Sequence, residues 1–459
     1  MAAPETTAAW RVELRATAAL AGSLALANVL QMAVYATDVM FVGRLGPQAL
    51  AASSLSVSLF GLMMWGFSAL TGAATPLIAA ELGRRAHAVR EVRRSVRMAL
   101  WLAVACGLAG MAVCAFGERI LLAAGEDAAV SARAGGFLRV LAWAMMPMVM
   151  ANVLRNFVAA AGRPGFATAV TALAILVNAT GNYAFVFGHF GAPALGLPGS
   201  ALSSVLTALA TVLAYALAIA ADRRLRRFRL FGRWWVADWP RLREIVGIGA
   251  PIALTVVAEG GLFGGAAFLM GLLGEAELAG HTVALQLAAF AFQLPLGIGQ
   301  AATIRVGLHF GAADAAGVAR AGYTAIAFGL AVAMASATAM IVAPGALIGV
   351  YVDLADPANA AMIGFARSYL VIAAAFQLAD GVQAIAAGAL RGLQDTRVPM
   401  AIALFGYWLP GFGTAVVLGF LTPLRGNGVW LGLAAGLVVV AALLLRRWVR
   451  AARPAIHAA

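Results

Sequence analysis

Between Arg163 and Asp222 the chain runs 58 residues without a side chain that is charged at neutral pH. A helix crosses the hydrocarbon core of a bilayer in about 20 residues, so a run of this length holds two crossings. His189, Gly191, Pro193 and Pro198 mark the turn between them. Shorter uncharged runs recur along the whole chain. They are Arg15–Arg44 (broken only by Asp38), Arg44–Glu81, Arg97–Glu118, Glu244–Glu275 (broken only by Glu259), Glu277–Arg305, Arg320–Asp353, Arg367–Arg391 (broken only by Asp380), Arg397–Arg425 and Arg425–Arg446. A twelfth span lies between Arg139 and Arg155, only 15 uncharged residues, where arginines at the helix ends can snorkel to the interface. Charged residues are 11% of the chain, against about 25% in soluble proteins. No soluble surface can be built from so few, so the sequence predicts an all-α polytopic membrane protein with 12 transmembrane helices.

The chain has no lysine, so the 32 basic residues are all arginine and orientation is read from them. With the N-terminus inside, 26 of the 32 fall on the cytoplasmic side and 6 outside, as the positive-inside rule requires. The net charge of +13 is then a topology signal and an attraction to anionic headgroups rather than a nucleic-acid footprint. The first span, preceded by Glu5 and Glu13 and without a convincing cleavage site, reads as a helix and not a removable signal. Cys106 and Cys114 share one apolar run, and their thiols read as packing groups.

An internal repeat appears at an offset of 228 residues. Gly43, Leu45, Gly46, Leu50 and Ala51 match Gly271, Leu273, Gly274, Leu278 and Ala279, and Ala73, Ala74, Thr75 and Gly83 match Ala301, Ala302, Thr303 and Gly311. Between the copies lies the basic, tryptophan-rich stretch 222–244, with Trp234, Trp235 and Trp239 suited to a membrane interface. The expected organisation is a lobe at 1–221, a cytoplasmic linker at 222–244 and a second lobe at 245–459. Each lobe is a six-helix bundle, and the two are pseudo-symmetric about an axis along the membrane normal. Duplication of this kind is the architecture of several secondary transporters; a channel or receptor is the alternative.

Three of the 19 acidic residues fall inside the spans. Glu259 is 15 residues from Glu244 and 16 from Glu275, and Asp380 is 13 from Arg367 and 11 from Arg391. Both sit near mid-membrane. Asp38 lies six residues before Arg44, about 9 Å along a helix. A carboxylate at such depth costs at least about 2.5 kcal/mol. No lysine exists and no arginine lies mid-span, so a proton, a metal cation or a cationic substrate must balance these charges. Loss of hydration disfavours the charged form, which makes proton binding one such route. Permanently protonated, purely structural acids are the alternative.

Polar neighbours surround the three acids. Gln377 and Gln383 lie three residues either side of Asp380, and Gln31 and Tyr35 share the helix face of Asp38. Asn178 and Asn182 form an i,i+4 pair in the fifth span, and Gln286, Gln293 and Gln300 form a stripe along the eighth. Such amides either line a cavity or hydrogen-bond between helices. Glu259 is flanked by Gly260, Gly261 and Phe263, an acid on a bendable helix beside an aromatic wall. The five histidines show no metal-ligand spacing and there is no glycine-rich phosphate loop with a lysine. An enzyme is therefore not expected, nor a cofactor, and ion gradients are left as the energy source.

The segments ATDVMFVGRLGPQALAASSL, VVAEGG, RGLQDTRVPM, YWLPGFG and GVWLGL resemble the multidrug and toxic compound extrusion (MATE) family, in its NorM-like branch. That resemblance implies two bundles in a V shape that export cationic organic compounds against sodium or proton flow. It matches Asp38 to a carboxylate used with Asn178 and Asn182, Glu259 and Asp380 to cation-site acids, and Phe263 to an aromatic beside them. Two positions depart from the family pattern. Ser23 stands where a helix-bending proline is common, and His281 is followed by Thr282 where glutamine is frequent, which bears on the ligands of the second-lobe site.

The expectation is thus a secondary active antiporter of amphipathic organic cations against Na⁺ or H⁺. Asp38, Glu259 and Asp380 would couple the ion, with Na⁺ at Glu259 and Asp380 if sodium is used. Gln31, Tyr35, Asn178, Asn182, Phe263, Thr282, Gln286, Gln377 and Gln383 would line the cavity. It would act as a monomer in a bacterial inner membrane, among lipids and without nucleic acid, with both termini cytoplasmic. The rival is a flippase for lipid-linked precursors, whose anionic pyrophosphate would demand cationic residues in the cavity.

Overall fold

The computed structural model describes residues 3–457 apart from 86 and 233. Among the described residues there are 12 helices long and apolar enough to cross a membrane, and no strand. They are α1 (Ala8–Gly43), α2 (Pro47–Arg84), α3 (Ala88–Ala115), α4 (Ala128–Ala160), α5 (Gly165–Phe187) and α6 (Leu197–Ala221) in the first half. The second half holds α7 (Trp239–Leu273), α8 (Glu275–Gly311), α9 (Ala315–Val342), α10 (Pro357–Gly392), α11 (Arg397–Phe420) and α12 (Arg425–Ala452). The twelve-span, all-helical architecture expected from the uncharged runs is the one observed, including α4 with Arg139 and Arg155 inside it. The repeat extends to short elements: a helical turn at Gly117–Ala123 follows α3 and one at Pro344–Ile348 follows α9.

By packing, the chain divides into two compact units, one of residues 26–253 and the other of residues 1–25 and 254–459. Helices α1 and α7 therefore each contribute to both. In the 26–253 unit α4 packs on α2, α3 and α6, and α5 on α6. In the other unit α10 is central, packed on α8, α9 and α12, with α11 against α12. The outward faces are apolar. Leu206, Leu209, Leu213 and Leu217 form a stripe on α6 that is 38–60% exposed, a helical spacing that belongs against lipid rather than water.

Helices overshoot the uncharged runs, because their charged ends project beyond the hydrocarbon. Glu13, Glu81 and Glu277 consequently lie within helices, and each finds an arginine. Arg305 Nε donates to Glu13 Oε1 at 2.7 Å, Arg241 Nη2 to Glu81 Oε1 at 3.1 Å, and Arg425 Nε to Glu277 Oε1 at 2.7 Å. Helix α1 continues unbroken through Ser23, whose Oγ donates to the Ala19 carbonyl at 3.2 Å. Helix α11 does deviate: Tyr407–Gly413 is π-helical around Pro410, which cannot donate to the helical ladder.

The linker is a docked strap. Among its described residues before α7 it holds one 3₁₀ turn, at Arg226–Phe228, and Leu225, Phe228 and Leu230 are buried. Arg93 Nε donates to the Phe228 carbonyl at 2.8 Å, Trp101 Nε1 to the Trp234 carbonyl at 3.0 Å, and Arg94 Nε to Asp238 at 2.5 Å. The Arg94 guanidinium holds the Asp238 carboxyl below its ordinary value of 3.8, against the opposing effect of partial burial. Trp235 and Trp239 stay exposed, as interfacial anchors are.

Candidate functional site

Asp38 lies on α1 five residues before Gly43, and its side chain is partly exposed. Three neutral donors hold its carboxylate. Asn178 Nδ2 and Asn182 Nδ2 donate to Oδ1 at 2.9 and 2.8 Å, and Ser204 Oγ donates to Oδ2 at 3.2 Å. The i,i+4 asparagine pair of α5 thus faces α1, and both asparagines are fully buried. Asn182 Nδ2 also donates to the Asn178 carbonyl at 3.0 Å, and Ser203 Oγ to the same carbonyl at 2.9 Å. Helix α6 approaches α5 because Gly181 has no side chain: a Cβ there would stand 2.5 Å from Ser203 Oγ. Gln31 is partly exposed and Tyr35 is 40% exposed one turn before Asp38. Ser203 and Ser204 escaped sequence reasoning, although Ser200, Ser203, Ser204 and Thr207 form a polar run in an apolar helix that could have pointed to them.

The second acidic cluster belongs to α7 and α10, with α11 beside them. Asp380 is 4% exposed, and its Oδ1 has no hydrogen-bond partner. Gln377, on the same helix, is fully buried with both amide atoms unpartnered. Gln383 Nε2 donates to the Tyr407 hydroxyl at 2.5 Å, and its Oε1 is unpartnered. The π-helical segment is what supplies Tyr407, a residue the sequence did not single out. Glu259, partly exposed, lies within electrostatic reach of both Asp380 and Tyr407. Phe263 stands edge-on to Phe376 with ring centroids 6.0 Å apart.

Helix α8 meets α10 closely at glycines: a Cβ on Gly388 would lie 2.3 Å from the Gly299 carbonyl oxygen. The polar stripe of α8 does not join the acids by any hydrogen bond. Thr282 and Gln286 are exposed, and Thr282 Oγ1 is satisfied by the Leu278 carbonyl at 2.8 Å. Gln293 Nε2 donates to the Ala289 carbonyl at 3.1 Å, also in its own helix.

Among the described residues, no arginine or histidine nitrogen comes within 4.0 Å of the Asp38, Glu259 or Asp380 carboxylates. Arg391, at the end of α10, lies within electrostatic reach of Glu259 and Tyr407. No group of three or more His, Cys, Asp or Glu side chains that could hold a metal ion is present among the described residues. The side chains of this cluster offer carboxylate, amide and phenol oxygens. Such a set suits a hard cation or a proton.

The MatE family model matches residues 23–184 and 251–417. The chain is 46% identical over 448 residues to a probable multidrug resistance protein NorM of Mesorhizobium japonicum, covering 98% of this chain and 96% of that one. It is 41% identical over 441 residues to the corresponding protein of Brucella suis, covering 96% and 94%. A crystal structure of a eukaryotic MATE transporter superposes with a TM-score of 0.83 at 21% identity, covering 97% of this chain and 98% of that one; at that identity the likeness is one of fold.

Proposed function

The chain belongs to the MatE family, and from that premise we propose that it is a multidrug efflux antiporter, exporting amphipathic organic cations in exchange for inward Na⁺ or H⁺. It is a membrane-embedded transporter and not an enzyme. Asp38, Glu259 and Asp380 carry the exchange. The observation behind this reading is that all three lack a permanent counter-ion within 4.0 Å among the described residues. Three other helix-borne acids, Glu13, Glu81 and Glu277, are neutralised by arginine. Charges left unpaired at such depth are costly, and a mobile cation lowers that cost.

The cycle needs only competition for the same negative charge. An ion or proton taken from outside weakens the hold on a bound organic cation, which leaves. With the carboxylates then exposed to the cytoplasm, the ion departs and a new cation replaces it. Asn178, Asn182 and Ser204 keep the Asp38 carboxylate in one orientation in both loaded states, because each is neutral and stays in place whichever cation is bound. Phe263, Gln377 and Gln383 flank the second pair of acids, and Tyr35, Gln31, Thr282 and Gln286 present adaptable polar surface along α1 and α8. The arginine distribution orients both termini to the cytoplasm of a bacterial plasma membrane, with the transporter acting as a monomer.

Ion-replacement efflux tests the reading. Purified protein in proteoliposomes is loaded with ethidium, and efflux is followed under an imposed Na⁺ gradient, a pH gradient, or neither. Wild type is expected to respond to one gradient, and Asp38→Asn, Glu259→Gln and Asp380→Asn to lose that response. Full gradient-driven efflux in all three variants refutes the assignment of these acids.

A further inference from the structure

Each half of the chain carries one arginine near the C-terminal end of its fourth membrane helix. Leu154-Arg155, followed by Arg163-Pro164, is repeated as Leu390-Arg391, followed by Arg397-Val398-Pro399. The two are not equivalent electrically. Arg391 shares its surroundings with Glu259 and Tyr407. Arg155 has a tyrosine too, Tyr215, but no carboxylate: among the described residues it forms no ion pair. Its charge lies five residues before the end of α4 at Ala160, inside a unit whose only acid at membrane depth, Asp38, is already held by three donors.

The groups around Arg155 are neutral. Its Nη2 donates to Asn28 Oδ1, and Asn28 Nδ2 is buried and without a partner. Asn28 is 6% exposed, whereas Arg155 is partly open. One helical turn earlier on α4, Asn152 Nδ2 is turned to the Ser68 carbonyl at 3.2 Å. Tyr215, 2% exposed, sits beside Thr171. The guanidinium thus rests on a neutral amide oxygen, the same amide carries an unpartnered N–H₂, and among the described residues no carboxylate pairs with Arg155. Desolvated positive charge is retained in proteins when something pairs with it, and a guanidinium fork matches the two oxygens of a carboxylate or phosphate.

We propose that Arg155 and Asn28 form an anion subsite in the 26–253 unit, accepting the carboxylate or phosphate oxygens of an amphiphile. This rests on the efflux reading: the subsite would hold the acid group of a substrate that carries one. An anionic lipid headgroup offers the same chemistry, and the test separates the two.

The probes are rhodamine B, which has a free carboxylate, and its ethyl ester, the same dye as a pure cation. Binding of each to the full-length protein in detergent is followed by fluorescence polarisation for wild type, Arg155→Gln and Arg155→Lys. Loss of a charge-assisted hydrogen-bond pair is expected to weaken rhodamine B by about tenfold or more in Arg155→Gln and to leave the ester within about twofold. Arg155→Lys keeps the charge without the fork and falls between. If the glutamine variant fails to fold, its ester binding is lost as well, and the lysine variant decides by the same ratio.

Repeating the titration in nanodiscs of phosphatidylcholine, with and without phosphatidylglycerol, identifies the source. Competition by phosphatidylglycerol in wild type but not in Arg155→Gln assigns the site to a lipid phosphate. Its absence, with the dye ratio maintained, assigns the site to the substrate's own acid. Equal effects of the substitutions on both dyes overturn the subsite. A wild type that binds neither dye overturns the efflux reading along with it.

Discussion

Replacing Asp38 by asparagine removes a charge while leaving the hydrogen-bond geometry almost intact, and this makes it the sharpest test of the electrostatic argument. In wild type, Oδ1 accepts from two amides at 2.9 and 2.8 Å, and Oδ2 from Ser204 Oγ at 3.2 Å. The new amide oxygen can still accept from both asparagines. Its N–H₂ then faces the Ser204 hydroxyl, which can rotate to accept. The fold therefore loses little, and the substitution is expected to leave thermal stability nearly unchanged. Binding loses far more. A unit charge 4 Å from a cation is worth about 4 kcal/mol at an effective dielectric of about 20 and about 1 kcal/mol in bulk water. A partly exposed side chain lies between these limits, which corresponds to roughly one to three decades in affinity. Ethidium titration by fluorescence polarisation, alongside a thermal melt of the same sample, measures both quantities. Ethidium affinity within about twofold of wild type, in protein of unchanged melting temperature, would refute the claim that the bare charge of Asp38 holds the cation.

Three further outcomes follow from the packing and the charges. Gly181→Leu places side-chain atoms where Ser203 Oγ would lie 2.5 Å from the first of them, which should push α6 from α5, withdraw Ser204 from Asp38 and weaken ethidium binding; an unaltered affinity in folded protein counts against the role of the α5–α6 approach. Tyr407→Phe keeps the ring but leaves the buried Gln383 Nε2 without its acceptor, a loss of about 1–3 kcal/mol that a lowered melting temperature in detergent would register and an unchanged one would deny. Asp238→Asn should destabilise the strap at pH 7. The Asp238 carboxyl is held below its ordinary 3.8 in the fold, so its contribution is present above that value and is lost as pH falls through the lower folded one. Melts from pH 7 to pH 3 should show the gap between variant and wild type narrowing, and a gap that widens in acid contradicts the assignment.

The contrast between paired and unpaired acids shows where sequence reading reaches its limit. The spacing of Asp38, Glu259 and Asp380 from the flanking charges puts them inside runs that the structure forms as helices long and apolar enough to cross a membrane. Proximity along a helix likewise put Gln377 and Gln383 beside Asp380, and Asn178 with Asn182. Those inferences rest on helix geometry, which is local. Thr282 and Gln286 satisfied the same local criterion, yet they are exposed and make no bond to the acids, because periodicity finds a polar face without saying what that face meets. Ser204, Tyr407 and Arg391 were missed for the complementary reason. Each comes to its acid from a different helix, and in the case of Tyr407 through a π-helical segment.

The amino-acid order alone determined that this chain spans a membrane twelve times, that its halves repeat, and that a few acids are stranded at depth. Composition, period and charge bias are one-dimensional quantities, and lipid imposes a length on every crossing. Only the tertiary structure decided which charges are neutralised. Glu13, Glu81 and Glu277 meet arginines between 148 and 292 residues away in the sequence, Asp38 meets three neutral donors, and Arg155 meets an amide in place of a carboxylate. Pairing depends on distances of a few ångströms between helices, and those are set by the close approaches that Gly181 and Gly388 permit rather than by any pattern along one helix.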